Sequence, residues 1–294
     1  MNTPVIAEAI SEAMGKSFRV ESTQSVGGGC INEAFRLVGS DASYFVKINR
    51  ATWLDMFIAE AEGLNALRQT DALKAPQPIC YGVDASQAYL VLEHLPLRSL
   101  SSAAQTILGK QLAQLHRTTS DQFGWQRDNT IGSTPQVNTR MDEWSQFYAE
   151  HRLGYQFDLA AQQGLKIPDA AELCDSIETF FTDYHPKPSL LHGDLWGGNA
   201  AMDDAGNPVI FDPACYFGDR ESDIAFTEMF GGFSSAFYQA YQSEWPLNAG
   251  YQQRKDLYNL YHVLNHYNLF GGGYGMQAQG MVVSLLHNIG KSRK

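Results

Sequence analysis

The chain has 294 residues, of which 44% are hydrophobic and 18% charged, and carries a formal net charge of -11. That length exceeds one small core and points to two lobes or one large domain of globular composition. The acid excess excludes a general nucleic-acid binder, which needs a basic face to displace counterions, but it leaves room for a local phosphate site built from backbone N–H groups and a metal ion.

In chain order, residues 3–15 read as a short amphipathic helix. The opening segment carries acids and lacks the basic start and apolar run of a signal peptide. Strand-like SFRVESTQSV and EAFRLVG flank a glycine cluster at 27–29, and SYFVKIN follows as a β-rich run. Over 52–69 the residues Trp53, Phe57, Leu64 and Leu67 fall on one helical stripe. PICYGVD and AYLVLEHL are two short strands broken at DASQ. The rest reads as helices at about 100–118, 140–163, 168–184, 221–242 and 251–270, in which Phe230, Phe233 and Phe237 are expected as helix core. A non-helical island at 190–214 interrupts them. The expected fold class is α+β and bilobal, with a β-rich lobe over 1–95 and a mainly helical lobe over 96–294. No stretch approaches the roughly 18 apolar residues of a membrane span. Cys30, Cys80, Cys174 and Cys215 contain no C-x-x-C pair, so neither a zinc site nor a disulfide framework is indicated. The expectation is a cytoplasmic protein with reduced thiols and no membrane or nucleic-acid partner.

The island carries the chemistry. His192-Gly193-Asp194 is followed by Asn199 and, after a short hairpin, by Asp212. Phosphoryl transfer needs a group that orients the acceptor hydroxyl and a metal that neutralises phosphate oxygens. Asp194 suits the first task. Asn199 and Asp212 offer the oxygen ligands that Mg²⁺ favours. The H-x-D-x-x-x-x-N order with a later Asp matches the kinase catalytic loop and its metal-binding Asp. Glycine stands after His192 where protein kinases have arginine, as in aminoglycoside and choline kinases.

The first lobe supplies matching parts. Gly27, Gly28 and Gly29 would let backbone N–H groups approach the phosphates of ATP, although the full G-x-G-x-x-G spacing is missing. Lys47 stands on a strand twenty residues later, as the kinase phosphate lysine does. Its glutamate partner is expected to be Glu60, which lies on the apolar stripe and needs a buried partner there, rather than Glu62 on the polar face. Glu93 and Leu95 are expected to read the adenine edge through a backbone C=O and N–H. Asp223 opens a helix and reads as an N-cap. In kinase-like folds such an Asp also bonds the catalytic-loop backbone, so it and His192 are supporting residues.

LLHGDLWGGNA, FDPACYFGDRESDIAFTEMFGGF, YHVLNHYNLFG, GGGCINEAF, YFVKINR, LEHL and STPQVNTRMDEWSQFYAEHRL closely resemble the fructosamine-3-kinase / ketosamine-3-kinase family, over about residues 17–271. The resemblance implies a protein-kinase-like fold, MgATP as phosphate donor, and a ketosamine acceptor, small or protein-bound, phosphorylated on the sugar 3-hydroxyl and thereby deglycated. Leu269 replaces a histidine of some relatives, which leaves acceptor preference open. Trp196 would stack on the sugar, and Asn265 and His266 would face the acceptor. His262 and His266, four apart, have no acidic or cysteine partner evident for a metal. Cys30, after the glycine turn, is a candidate redox switch through an intersubunit disulfide; the chain would be a monomer or homodimer. The alternatives are another small-alcohol kinase of aminoglycoside or choline type, and a nucleotide-binding regulator without catalysis. The second is disfavoured because Lys47, Asp194, Asn199 and Asp212 are all present.

Overall fold

The computed structural model describes residues 1–27 and 31–292. Helix α1 (Thr3–Met14) begins with Pro4 in its first turn, where a missing N–H costs nothing. It stops at Gly15, whose φ of 62 lets its N–H return to Glu12 O. Ile6 and Ile10, four apart, are buried on one side of a five-stranded antiparallel sheet. The strands are β1 (Ser22–Val26), β2 (Glu33–Val38), β3 (Ser43–Arg50), β4 (Pro78–Asp84) and β5 (Gln87–Glu93), in the order β1-β2-β3-β5-β4.

Strand alternation decides which side chains meet which core. On β3, Tyr44, Val46 and Ile48 join Ile6 and Ile10 in a small core under α1, and Tyr89 and Val91 of β5 join them. Lys47 pairs with Leu90 and so points to the other face. There Ala88, Leu90 and Leu92 enter the main core with Phe57, Ala61, Leu64 and Leu67 of α2 (Leu54–Gln69). The pleat that buries Val46 and Ile48 on one side thus aims Lys47 at α2 on the other.

Beyond Glu93 the chain is mainly helical. Helix α3 (Ser102–Leu115) is N-capped by Ser101 Oγ, which accepts from Ala104 N at 3.1 Å. The other helices are α4 (Trp144–Tyr148), α5 (Tyr155–Gln162), α6 (Ala170–Ser176), α7 (Arg220–Thr227), α8 (Ser235–Glu244), α9 (Tyr251–Phe270) and α10 (Tyr274–Ser292). Gly109 lets α3 approach α8; a Cβ there would stand 2.3 Å from Phe237 O. Three short antiparallel pairs lie among the helices: β6 (Asn129–Ile131) with β7 (Thr134–Gln136), β8 (Ser189–Leu191) with β11 (Tyr216–Gly218), and β9 (Ala200–Met202) with β10 (Pro208–Ile210). The β9–β10 hairpin is gripped on both sides. Ile210 N donates to Lys74 O at 3.0 Å, and Arg98 and Met202 exchange bonds of 2.8 and 2.9 Å.

Several expected helices are divided. The run at 140–163 is interrupted by a π turn at 149–154. The run at 168–184 becomes α6 and then a 3-10 turn, Ile177–Phe181. The run at 221–242 splits into α7 and α8 because Gly231 and Gly232 adopt φ of 85 and 69, which end a helix. Phe230 therefore sits in a loop, 37% exposed, and Phe233 is half-buried; Phe237 alone of the three is helix core. The β6–β7 pair and α10 lie outside the elements expected from sequence. No helix among the described residues is long and apolar enough to cross a membrane.

Candidate active site

The catalytic-loop candidate begins where β8 ends. Gly193 has φ 80, and a Cβ on it would lie 2.1 Å from Ala214 O. Only glycine fits, and the space saved lets His192 O accept from Ala214 N at 2.9 Å. Asp223, on α7, accepts from His192 N at 2.8 Å and from Gly193 N at 2.9 Å. The N-cap of α7 is Asp219, which accepts from Glu221 N at 3.0 Å. Asp223 is thus one turn inside the helix and grips the loop backbone, which corrects the capping expectation.

Ring tautomers in this layer are set by their partners. His192 Nδ1 accepts from Asp194 N at 3.2 Å, so Nε2 carries the proton and donates to Phe211 O at 3.0 Å. Burial lowers the His192 pKa and keeps this neutral form. Behind Asp223 runs a relay. Arg220 donates to Tyr241 OH at 3.0 Å, that hydroxyl donates to His116 Nδ1 at 2.8 Å, and His116 Nε2 donates to Asp223 Oδ2 at 3.2 Å. Burial pushes the Asp223 carboxyl up, but the hydrogen bonds it accepts from His116 Nε2 and the Gly193 N–H help bring it net below its usual value.

Asn199 Nδ2 donates to Asp194 O at 2.8 Å and to Asp194 Oδ2 at 3.1 Å. This fixes the carboxylate and leaves Asn199 Oδ1 for another partner. Phe211 N donates to Asn199 O at 3.1 Å, which sets Asp212 at the mouth of the β9–β10 hairpin next to Asn199. Asp212 holds the left-handed region at φ 57, a conformation rare outside glycine and tolerated by Asp. Its Oδ1 pairs with Lys47 Nζ at 2.6 Å, and the side chain is 46% exposed. Lys47 Nζ also meets Glu60 Oε1 at 2.6 Å. Burial works against the Lys47 charge, but the two carboxylates outweigh it and raise its pKa above the usual lysine value. Glu62 lies elsewhere, 3.4 Å from Arg127 Nε. Burial, with the Asp212 charge beside it, pushes the Asp194 pKa well up.

Asn199 Oδ1 and the exposed part of the Asp212 carboxylate form a hard-oxygen donor set. Among the described residues no group of three His, Cys, Asp or Glu side chains could hold a metal by itself. Two protein oxygens plus phosphate oxygens is the way magnesium is commonly held beside nucleotides, so the residues present fit that ion.

The sequence reading missed the amides behind this site. Gln136 Nε2 donates to Ala214 O at 3.1 Å and to Asn129 Oδ1 at 2.9 Å, while Gln136 Oε1 accepts from Tyr261 OH at 2.7 Å. Asn129 Nδ2 donates to Cys215 O at 2.8 Å. Asn138 Nδ2 donates to Asn129 Oδ1 at 2.9 Å and Arg152 Nη2 to Asn138 Oδ1 at 2.7 Å. The β6–β7 pair is therefore a clamp on the two residues after Asp212-Pro213. The PQVN tetrapeptide carried that signal, but a polar run looks like any loop until its partners are known.

Other expected residues fall in varied places. Gly27 is exposed just past β1, and Gly28, Gly29 and Cys30 lie outside the described residues. Glu93 ends β5 and its N–H donates to Gln77 O at 2.8 Å; the Leu95 N–H makes no backbone bond among the described residues. Trp196 is 38% exposed and edge-on to Phe230 at 6.1 Å. Asn265 was expected to face the acceptor, but it is only 2% exposed, bonded to Gln156 Nε2 at 3.3 Å and Ile131 O at 3.5 Å. The turn of α9 that carries it is packed against the β6–β7 pair and α5. His262 lies flat on Phe226 with centroids 3.5 Å apart, and His266 contacts Phe230 at 4.9 Å.

A family model described as fructosamine kinase matches residues 2–288. A "probable ketoamine kinase" from Synechocystis is 51% identical over 282 residues, covering 96% of each chain. The chloroplastic protein-ribulosamine 3-kinase of Arabidopsis thaliana is 43% identical over 277 residues, covering 91% of this chain and 83% of that one. The crystal structure of a candidate fructosamine-3-kinase from Haemophilus somnus superposes with a TM-score of 0.90 at 31% identity, over 96% of this chain and 97% of that one. The choline kinase of Streptococcus pneumoniae matches with a TM-score of 0.63 at 16% identity, over 97% and 98% of the two chains, a likeness of fold.

Proposed function

The chain belongs to the fructosamine kinase family and is a kinase of protein-kinase-like fold, and on that premise we propose that it transfers the γ-phosphoryl group of ATP to the 3-hydroxyl of a ketosamine. The supporting observation is the Asp194 carboxylate, held by Asn199 Nδ2 at 3.1 Å on the same loop that carries the exposed Trp196 two residues later. A polyol stacked on that ring would present a hydroxyl to Asp194. The Asp194 carboxylate takes the hydroxyl proton, the acceptor oxygen bonds to the γ-phosphorus, and the bond to the bridging oxygen breaks to release ADP.

The rest of the site divides the supporting work. Lys47, fixed between Glu60 and Asp212, binds the donor's phosphates, and the backbone N–H groups of Gly27, Gly28 and Gly29 share that work. Glu93 and Leu95 present backbone groups to the adenine. Asp212 and Asn199 would hold magnesium, which when bound neutralises phosphate charge. His192 and Asp223 keep the loop in register. Residues 1–95 and 96–294 act as the two lobes that enclose the donor.

For the acceptor, ribulosamines or erythrulosamines are preferred over fructosamines, and the amine is a free amino acid or a protein lysine. The 3-phosphate then leaves, releasing the amine, so the outcome is deglycation inside the cytoplasm. The test is incubation with MgATP and ribulosyl-lysine or fructosyl-lysine, following phosphate incorporation and free lysine. Phosphorylation with lysine release is expected; no phosphorylation of either compound, with turnover of choline or an aminoglycoside, overturns the reading.

A further inference from the structure

Five rings lead away from the Asp194 loop in an unbroken series. Trp196 meets Phe230 at 6.1 Å, Phe230 meets His266 at 4.9 Å, and His266 meets both Phe270 at 5.7 Å and Tyr274 at 5.2 Å. They come from four separate pieces of chain: the catalytic loop, the Gly231-Gly232 break, the end of α9 and the start of α10. Trp196, Phe230 and Phe270 are exposed by 38%, 37% and 58%. Solvent exposure of large rings in contact with one another is costly unless something covers them.

His266 sits in the middle of the series and its tautomer is settled. Nδ1 lies 2.7 Å from His262 O. A carbonyl only accepts, so Nδ1 carries the proton and Nε2 keeps its lone pair. Nε2 makes no hydrogen bond among the described residues. Burial lowers the His266 pKa, which keeps the ring neutral. The series therefore combines faces that attract a cation, an apolar surface for an alkyl chain, and one free acceptor.

We propose that Phe230, His266, Phe270 and Tyr274, the rings that follow the sugar-stacking Trp196, form the seat of the amine half of the acceptor, with His266 Nε2 accepting from its protonated nitrogen. The inference rests on the proposed function and specifies which part of the substrate these rings read. In a ketosamine the amine nitrogen is on the first carbon and the hydroxyl to be phosphorylated on the third, so three carbons separate them. A sugar stacked on Trp196 would thus place its ammonium at the next ring. A lysine-type methylene chain would continue over Phe230 and Phe270. No acidic side chain is needed for recognition, and the neutral histidine does not repel the cation.

The test compares two adducts of one ketose, ribulosyl-lysine within a short peptide and ribulosyl-methylamine, in the full-length protein. Phe270→Ala alters an exposed side chain and is expected to raise KM for the peptide adduct about 5- to 10-fold, and for the methylamine adduct by a smaller factor. His266→Phe keeps a ring but removes the acceptor, and is expected to lower kcat/KM for both adducts about 10-fold with the KM for ATP unchanged. Wild-type KM values for both adducts in both variants, with unchanged melting temperatures, would overturn the inference. Wild-type protein that phosphorylates neither adduct would instead overturn the proposed function on which it rests.

Discussion

At the scale of single residues, Lys47 illustrates how pattern and chemistry combine. A strand lysine is usually solvated, yet Lys47 alternates with Val46 and Ile48 and so must enter the main core. A buried cation requires buried anions, and the acid on the apolar stripe of α2 supplies one. Glu60 could be chosen over Glu62 on that ground, and the two meet at 2.6 Å. The Asp212 contact could not be read in advance, because it depends on a φ of 57. Asn265 shows the opposite failure. Polar residues on α9 looked alike in sequence, but Asn265 is spent on Gln156 and Ile131 whereas His266 keeps a free nitrogen. Two predictions belong at this scale. Asp194→Asn should lower kcat by about 10²- to 10⁴-fold, with ATP affinity by calorimetry nearly unchanged; a wild-type kcat removes the base role. Asp212→Asn should shift the magnesium titration of nucleotide binding to higher concentration, since a charged oxygen ligand is lost. A superimposable titration contradicts the metal assignment.

At the scale of elements, the candidate catalytic loop is held from behind by α7. Asp223 accepts two loop N–H groups and His116, all buried. Asp223→Ala would strand those donors and should cost about 3 to 5 kcal/mol in denaturant unfolding. The pH dependence follows from the direction of its shift. A carboxyl depressed in the folded state stabilises fully above its unfolded value and loses that contribution as pH falls through the folded one. The difference between wild type and Asp223→Ala should therefore be flat from about pH 5 to 8 and shrink only below about pH 4. A difference that shrinks near neutrality would contradict this. Gly193→Ala should be damaging for a separate reason, since its φ of 80 and the nearby Ala214 carbonyl both oppose a Cβ. The strain alone should cost about 1 to 3 kcal/mol, read as a lower melting temperature.

Elements were legible where the period was simple. The sheet and α2 follow directly from alternation and from the Phe57/Leu64/Leu67 stripe. Helix α10 was missed although Ala278, Val282, Leu285 and Ile289 keep a helical spacing and are buried. Gly275, Gly280 and Gly290 lowered its propensity, and packing on α9 outweighed that. The β6–β7 clamp was missed because its strands are three residues each and their value lies in amide contacts across the chain.

At the scale of the whole molecule, the sheet of the first 93 residues and the helices that follow share one core cluster, which runs from Phe57 and Leu90 to Leu264 and Leu285. Lys47 of the sheet and Asp212 of the helical part are joined through an ion pair, so the positions proposed for the donor and the metal are linked across that core. The ordered spacing of Asp194, Asn199 and Asp212 made the reaction type legible from sequence, because kinase-like folds carry a loop Asp, an Asn and a later Asp in that order for phosphoryl transfer. The acceptor was legible only by resemblance, since the rings that would read it come from four separate chain segments. The most direct measurement of the central claim is phosphorus NMR of ribulosyl-lysine incubated with MgATP and the wild-type or Asp194→Asn protein. The account predicts a new phosphomonoester on the sugar's third carbon with wild type, and almost none with Asp194→Asn. Equal formation of that ester by the two proteins, or a phosphate elsewhere on the sugar, would contradict it.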